Sequence, residues 1–327
     1  MKCQVGENPL NRSAYYLRNK IMIWSNPLLN IGKPRVCKCG ATDGALVDVN
    51  KLLSCRNLTE PEFEAQDGFD YVLGIDVARS QKSTNNRSSV GVIKIQRNLD
   101  NTVRDLSLVN LFVISNALSF DAQAIEVKKI QKCFKAKMCV IDINGLGVGL
   151  LDVLLKTNID PKTGETYPCW KTINTDHTPE NDDALEIIYA LTPQSSQSRI
   201  TVNFMDLVES GRLRLLEKRD ENSYSLADKN WTVKFAPYLQ TDNLVEEATN
   251  LKLKHLNNGG ITVEKVLGKI DKDRYSSVAY GLWWVMEFDN NILADNNSMI
   301  DFMLGINGIR QGSGSNNATK FINSIFK

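Results

Sequence analysis

The sequence predicts an α/β fold with a mixed central sheet flanked by helices, and three observations predict it. First, three runs rich in Val, Ile and Leu, at 71–78, 90–96 and 106–114, follow one another across short polar links, the pattern of an antiparallel meander. Second, an amphipathic stretch over 121–136 places Ala122, Ile125, Ile130 and Phe134 near helical spacing and leads into a fourth apolar run at 137–143. A helix in that position makes the fourth strand parallel to the first through a right-handed crossover. Third, the first and fourth strands both run into an aspartate, Asp76 and Asp142.

The remaining elements follow in order. Residues 1–67 show no sustained periodicity and carry turn formers at Asn8-Pro9, Asn26-Pro27, Gly32-Lys33-Pro34 and Asp43-Gly44. One short helix is expected over 12–24, a helix start at Thr59-Glu60-Pro61-Glu62, and a domain boundary at Asp67-Gly68. The polar links 80–89 and 98–102 suit hairpin turns, and Ser119 or Asp121 caps the crossover helix. After Asn144-Gly145 a short helix runs to Leu155, and a further helix is expected near 184–191. Then come a helix over 199–210 closed by Gly211, a strand at 213–216, a strand at 231–235, a helix at 242–257 and a strand at 261–267. The last helix starts at Asp271 or Asp273 and reaches Phe288. Residues 291–327 are rich in Asn, Ser and Gly and read as a flexible tail.

At 327 residues, 42% hydrophobic and 24% charged, the chain has the composition of one large or two smaller globular domains. A net charge of +1 excludes a wholly basic nucleic-acid coat and leaves room for local phosphate-binding patches. There is no apolar run of about 18 residues and no apolar signal-peptide core after Met1, so no membrane partner is expected and the expected location is the cytoplasm. The seven cysteines are irregularly spaced, as free thiols in a reducing compartment are. Four of them, Cys3, Cys37, Cys39 and Cys55, lie early, and Cys37-Lys38-Cys39 is one residue short of the usual zinc-binding C-x₂-C.

A carboxylate at the end of a buried strand is costly unless something pairs with it. Three of them, Asp76, Asp142 and Asp273, brought together by a fold, make a site for hard divalent cations, which prefer oxygen ligands. Each also has a simpler reading. Hydrophobic-Gly-Ile-Asp opens the phosphate loops of sugar kinases and heat-shock ATPases, which need a second copy of the domain that this sequence lacks. Asp142 stands at a turn before Asn144-Gly145, where Asx residues are favoured. Its glycines, Gly145, Gly147 and Gly149, are spaced G-x-G-x-G rather than as a dinucleotide fingerprint, and close packing or close approach to phosphate explains them. Asp273 or Asp271 can each cap the last helix. Neither His177 nor His255 is assigned a catalytic role.

Three antiparallel strands, a helix, a parallel strand and a late helix carrying an acid form the layout of the ribonuclease H-like fold. Within it, Gly74-Ile75-Asp76-Val77-Ala78-Arg79, the stretch from Ile141-Asp142 to Leu151-Asp152, Leu207-Val208-Glu209-Ser210-Gly211-Arg212-Leu213 and Lys272-Asp273-Arg274-Tyr275-Ser276-Ser277 resemble, in order, the landmarks of the nuclease domain of tailed-bacteriophage terminase large subunits. The resemblance spans 68–290; residues 1–67 resemble the segment linking the terminase motor to its nuclease. It implies a metal-dependent endonuclease that cuts double-stranded concatemeric viral DNA during genome packaging. Asp76 would bridge two Mg²⁺ or Mn²⁺ ions about 3.5–4 Å apart, with Asp142 and Asp273 as the other ligands and Asp271 as an accessory. Basic residues near the acids, Arg79, Lys82, Arg87, Lys269, Lys272 and Arg274, are the expected DNA contacts. No G-x-x-x-x-G-K-S/T loop occurs, so the ATPase motor is not expected in this sequence, either because the nuclease domain is cloned or encoded apart from it or because an intervening element truncates the chain, and translocation would depend on another polypeptide. A small terminase subunit and the portal protein are implied as partners, in the bacterial host cytoplasm rather than the mature virion. A resolvase or transposase of the same fold, and a catalytically silent DNA-binding or assembly module, are the rival readings. The role of 156–198 is open.

Overall fold

The computed structural model describes residues 44–78, 87–115, 117–219, 231–257 and 259–289. The chain begins with α1 (Val49–Ser54), β1 (Arg56–Leu58), β2 (Asp70–Asp76), β3 (Ser88–Arg97) and β4 (Val103–Ile114). Next come α2 (Phe120–Phe134), β5 (Met138–Asp142), α3 (Leu146–Leu154), β6 (Asn158–Ile159), β7 (Thr166–Tyr167), β8 (Trp170–Thr172) and β9 (Leu185–Leu191). The last group is α4 (Pro193–Glu209), β10 (Leu213–Leu216), α5 (Trp231–Thr249), β11 (Leu251–His255), β12 (Ile261–Lys265) and α6 (Asp273–Trp284), which runs on as a π-turn over Val285–Asp289.

Consecutive residues of β2, from Tyr71 to Ile75, are all buried, because helices cover both faces of the sheet and leave no wet side for polar alternation. The eight strands lie in the order β1-β10-β4-β3-β2-β5-β9-β8. The strands β4, β3 and β2 form the antiparallel meander. Strand β5 then lies parallel to β2, and β9 parallel to β5. This five-strand core is the ribonuclease H-like sheet, and β10 with β1 extends it at one edge, both parallel to β4. On one face Tyr71, Leu73, Ile75 and Ile141 pack with Phe134 of α2 and Leu151 of α3. On the other, Val72 and Val140 pack with Val278 and Leu282 of α6 and Phe204 of α4. Each such side chain contributes about 1.5–3 kcal/mol when fully buried.

Ser119 caps α2 through its side chain, and Gly211 at φ 68° ends the turn after α4, both as the sequence indicated. Four expectations are corrected. Residues 185–191 form a strand, not a helix: Ile188 is completely buried and the segment is hydrogen-bonded between β5 and β8. A seven-residue apolar run carries no periodicity that separates the two. Residues 231–235 open a helix rather than a strand, and that helix ends at Thr249, after which 251–255 pairs with β12 instead of continuing helical. No helix forms at Thr59-Glu60-Pro61-Glu62.

The expected boundary at 67 does not divide the fold. Strand β1 pairs with β10, and Leu46, Val47, Leu52 and Cys55 are buried in the same core as β4 and α6. The helix expected over 12–24, the thiols Cys3, Cys37 and Cys39 and the tail 291–327 lie outside the described residues. Among the described residues, Cys55, Cys133, Cys139 and Cys169 are free thiols, and no helix is long and apolar enough to cross a membrane. Residues 156–168 are tied to α2 by two buried lysines. Lys128 donates to the carbonyls of Lys156 and Pro168 at 2.6 and 2.8 Å, and Lys129 pairs with Asp160 at 2.9 Å. Burial with only neutral acceptors pushes the Lys128 ammonium down to about 8.

Candidate metal centre

The site begins with a glycine. A Cβ on Gly74 would stand 1.9 Å from the carbonyl oxygen of Ser277, and one on Gly281 would meet the tip of Ile93 at 2.5 Å. With both positions bare, the backbone of α6 lies directly on β2, and the Ser89 and Ser277 hydroxyls hydrogen-bond across the contact at 2.9 Å. That close packing brings the N-terminal turn of α6, which starts with Asp273, to the end of β2, which closes with Asp76. Strands β2 and β5 pair in parallel with Ile75 opposite Ile141, so Asp76 and Asp142 leave the sheet side by side.

Each carboxylate is held differently. Asp142 Oδ1 accepts the backbone N–H of Asn144 at 2.8 Å, and its Oδ2 accepts the Tyr280 hydroxyl at 3.2 Å. Asp273 Oδ2 accepts the Arg87 backbone N–H at 3.2 Å. The Ser276 side chain acts to lower the Asp76 carboxyl. Burial, then the charges of Asp273 and Asp142, push the Asp76 carboxyl well above the usual carboxylate range. Burial also raises Asp142, against the hydrogen bonds from Asn144 and Tyr280, and raises Asp273, against the Arg87 N–H and with the charge of Asp271 adding to the effect. All three sequence-predicted acids therefore stand in one electrostatic group whose ionised forms are disfavoured by burial despite these partners.

Among the described residues no three His, Cys, Asp or Glu side chains stand in the geometry that holds an ion as they are. The donor set fits a hard divalent cation: it is all oxygen, it is anionic, and burial makes its charge expensive without a counter-ion.

The glycines after Asp142 serve packing. A Cβ on Gly147 would meet the Asp142 carbonyl oxygen at 1.7 Å, and one on Gly149 the Phe120 ring at 2.4 Å. Gly145 has φ 60°, a left-handed conformation open to glycine. Asp271 faces Lys265 at 4.0 Å.

Of the expected DNA contacts, Lys272 is exposed and its charge lowers both Asp76 and Asp142, so it stands at the site. Lys269 and Arg87 are also exposed, and Arg79 and Lys82 lie outside the described residues. Arg274 is corrected: its guanidinium is bound to Glu247 at 2.6 Å and Gln240 at 2.8 Å and turns into the protein. Arg274, next to Asp273 in sequence, does not face the same way on the helix. Three contributing residues went unnamed by sequence reasoning. Ser276 and Tyr280 follow Asp273 by three and seven residues on α6, and helical spacing places all three on one face, a usable signal. Glu247, on α5, gives no such signal.

The fold is similar to that of several solved structures. The large terminase nuclease from thermophilic phage G20c with bound magnesium shares 12% identity at a TM-score of 0.45, over 74% of this chain and 98% of that one. The Thermus phage P74-26 large terminase nuclease domain shares 13% at 0.41, over 71% and 93%. The nuclease domain of the large terminase subunit of bacterial virus Sf6, with manganese and β-thujaplicinol, shares 8% at 0.41, over 73% and 98%. No protein-family model and no curated protein matches the chain.

Proposed function

We propose that the chain is a divalent-metal-dependent endonuclease acting on double-stranded DNA, and that it cuts concatemeric viral DNA for genome packaging. The observation that carries the chemistry is the gathering of Asp76, Asp142 and Asp273 at one end of a ribonuclease H-like sheet, each with its carboxyl raised by burial. The packaging context rests on the ordered sequence landmarks from Gly74 to Ser277.

In this reading Asp76, Asp142 and Asp273 hold Mg²⁺ or Mn²⁺, with Asp76 between the other two. When bound, such ions lower the pKa of water and stabilise charge on phosphodiester oxygens. The chain's own residues do the rest. The backbone N–H groups of Asn144 and Arg87 fix two of the carboxylates, Lys272 adds positive charge where a phosphate would approach, and Lys269 and Arg87 extend that charge without reading base sequence. No side-chain nucleophile is assigned. Small-subunit, portal and motor partners belong to the same proposal.

Incubation of supercoiled plasmid with the purified chain tests it. Nicking and linearisation with Mg²⁺ or Mn²⁺ and none in EDTA is the expected result. DNA retention without cleavage under any metal would favour a binding module.

A further inference from the structure

The face of α6 that carries Asp273 continues with Ser276 and Tyr280, and this polar stripe is buried: Ser276 is 4% and Tyr280 8% exposed. The Tyr280 hydroxyl donates to Asp142 Oδ2 at 3.2 Å, while the opposite oxygen of the same carboxylate takes the Asn144 N–H. Both oxygens of Asp142 therefore have a donor, one from the chain just after β5 and one from α6. That fixes the plane of the carboxylate and leaves each oxygen a further acceptor site. Ser276 stands on the same face of α6, and its side chain acts to lower both the Asp76 carboxyl and the Tyr280 hydroxyl.

We infer that Tyr280 is a positioning residue for the metal centre: it sets the carboxylate of Asp142 for a divalent cation, with Ser276 beside it on the same face of α6. The inference rests on the metal reading above and adds to it the residues that orient the ligands. A buried phenol placed only to fill space needs no acid at its hydroxyl, and Tyr275 offers that comparison on the same helix. It is 2% exposed and packs its ring on Phe204 with centroids 4.9 Å apart, in the core shared by α4 and α6. Partners of metal-bound carboxylates and imidazoles change metal affinity by about 10–100-fold when removed. In a site whose acids repel one another, a lost orienting bond lets Asp142 turn away.

The test is Mn²⁺ binding to the full chain without DNA, read from the electron paramagnetic resonance signal of free Mn²⁺, alongside thermal unfolding. Wild type is expected to bind, Asp76→Asn to lose binding, and Tyr280→Phe to bind about 10–100-fold more weakly with little change in unfolding temperature. Tyr275→Phe, the same chemical change away from the acids, should bind like wild type. Ser276→Ala gives a second readout that leaves the ring in place, and weakened binding is expected there too. Wild-type affinity in Tyr280→Phe and Ser276→Ala, with Asp76→Asn defective, would overturn the positioning role and leave the metal centre standing. Absence of Mn²⁺ binding by wild type would overturn both together.

Discussion

Glu247 holds Arg274 twice. Its Oε2 accepts the Arg274 backbone N–H at 2.9 Å, and its Oε1 accepts the guanidinium at 2.6 Å. Oε2 also takes the Tyr275 N–H at 3.0 Å. Lys272, at the cap position of α6, makes no side-chain cap bond, so a buried acid from α5 closes the start of the helix that presents Asp273.

That arrangement makes Glu247→Ala costly, because it removes a buried carboxylate that holds a half-buried guanidinium and two helix N–H groups. A loss of about 3–5 kcal/mol is expected, the range for breaking a buried pair, and cleavage should fall with it as Asp273 loses its fixed position. Chemical denaturation beside plasmid nicking checks both.

Lys272 and Arg274, adjacent in sequence, should separate in their effects. Lys272→Ala is expected to weaken DNA binding and to lower the slope of log K against log salt by about 0.9, the value for one phosphate contact. Arg274→Ala should instead destabilise the fold, since its charge is spent on Glu247. Binding titrations at several salt concentrations, paired with thermal unfolding, distinguish them.

The raised Asp76 carboxyl gives a pH dependence with a definite sign. Its folded pKa lies above its unfolded value, so the folded chain binds the proton more tightly. The associated stability is present at acid pH and is lost as pH rises through the folded value. In EDTA, Asp76→Asn should therefore unfold at a higher temperature than wild type at pH 7.5, with the gap closing toward pH 4. A lower unfolding temperature for the variant at pH 7.5 would show that the ionised acid stabilises the fold.

Gly74→Ala probes the contact that brings the acids together. Its Cβ would lie 1.9 Å from the Ser277 carbonyl oxygen, and backbone on both sides gives little room to yield. A cost of about 1–3 kcal/mol or more is expected, along with weaker Mn²⁺ binding as α6 is pushed off β2. Calorimetry and the Mn²⁺ titration measure the two.

The sheet was legible where its strands differ in kind from helices. Val72, Ile75, Val92, Ile93, Val140 and Ile141 are β-branched and follow polar hairpin links, so the meander and the crossover strand could be read directly. Trp231-Thr232-Val233-Lys234-Phe235 is equally rich in strand formers, yet it opens α5, where Phe235 and Leu244 are buried. Tertiary packing overrode local preference there. The three acids could be found because each interrupts or abuts an apolar run. Glu247 could not: a buried acid on an ordinary helix looks in sequence like any exposed one, and only the fold shows that it faces Arg274. The role of Gly74 was hidden for the same reason, since nothing in a strand indicates which backbone will lie on it.

Plasmid cleavage by single-acid variants tests the central claim most directly. Asp76→Asn, Asp142→Asn and Asp273→Asn each remove one charge and almost no volume. With saturating Mn²⁺, each is expected to lose cleavage while the folded state is kept, because the three acids act as one centre. Wild-type cleavage by all three variants would contradict the account and leave the gathered carboxylates without a catalytic part.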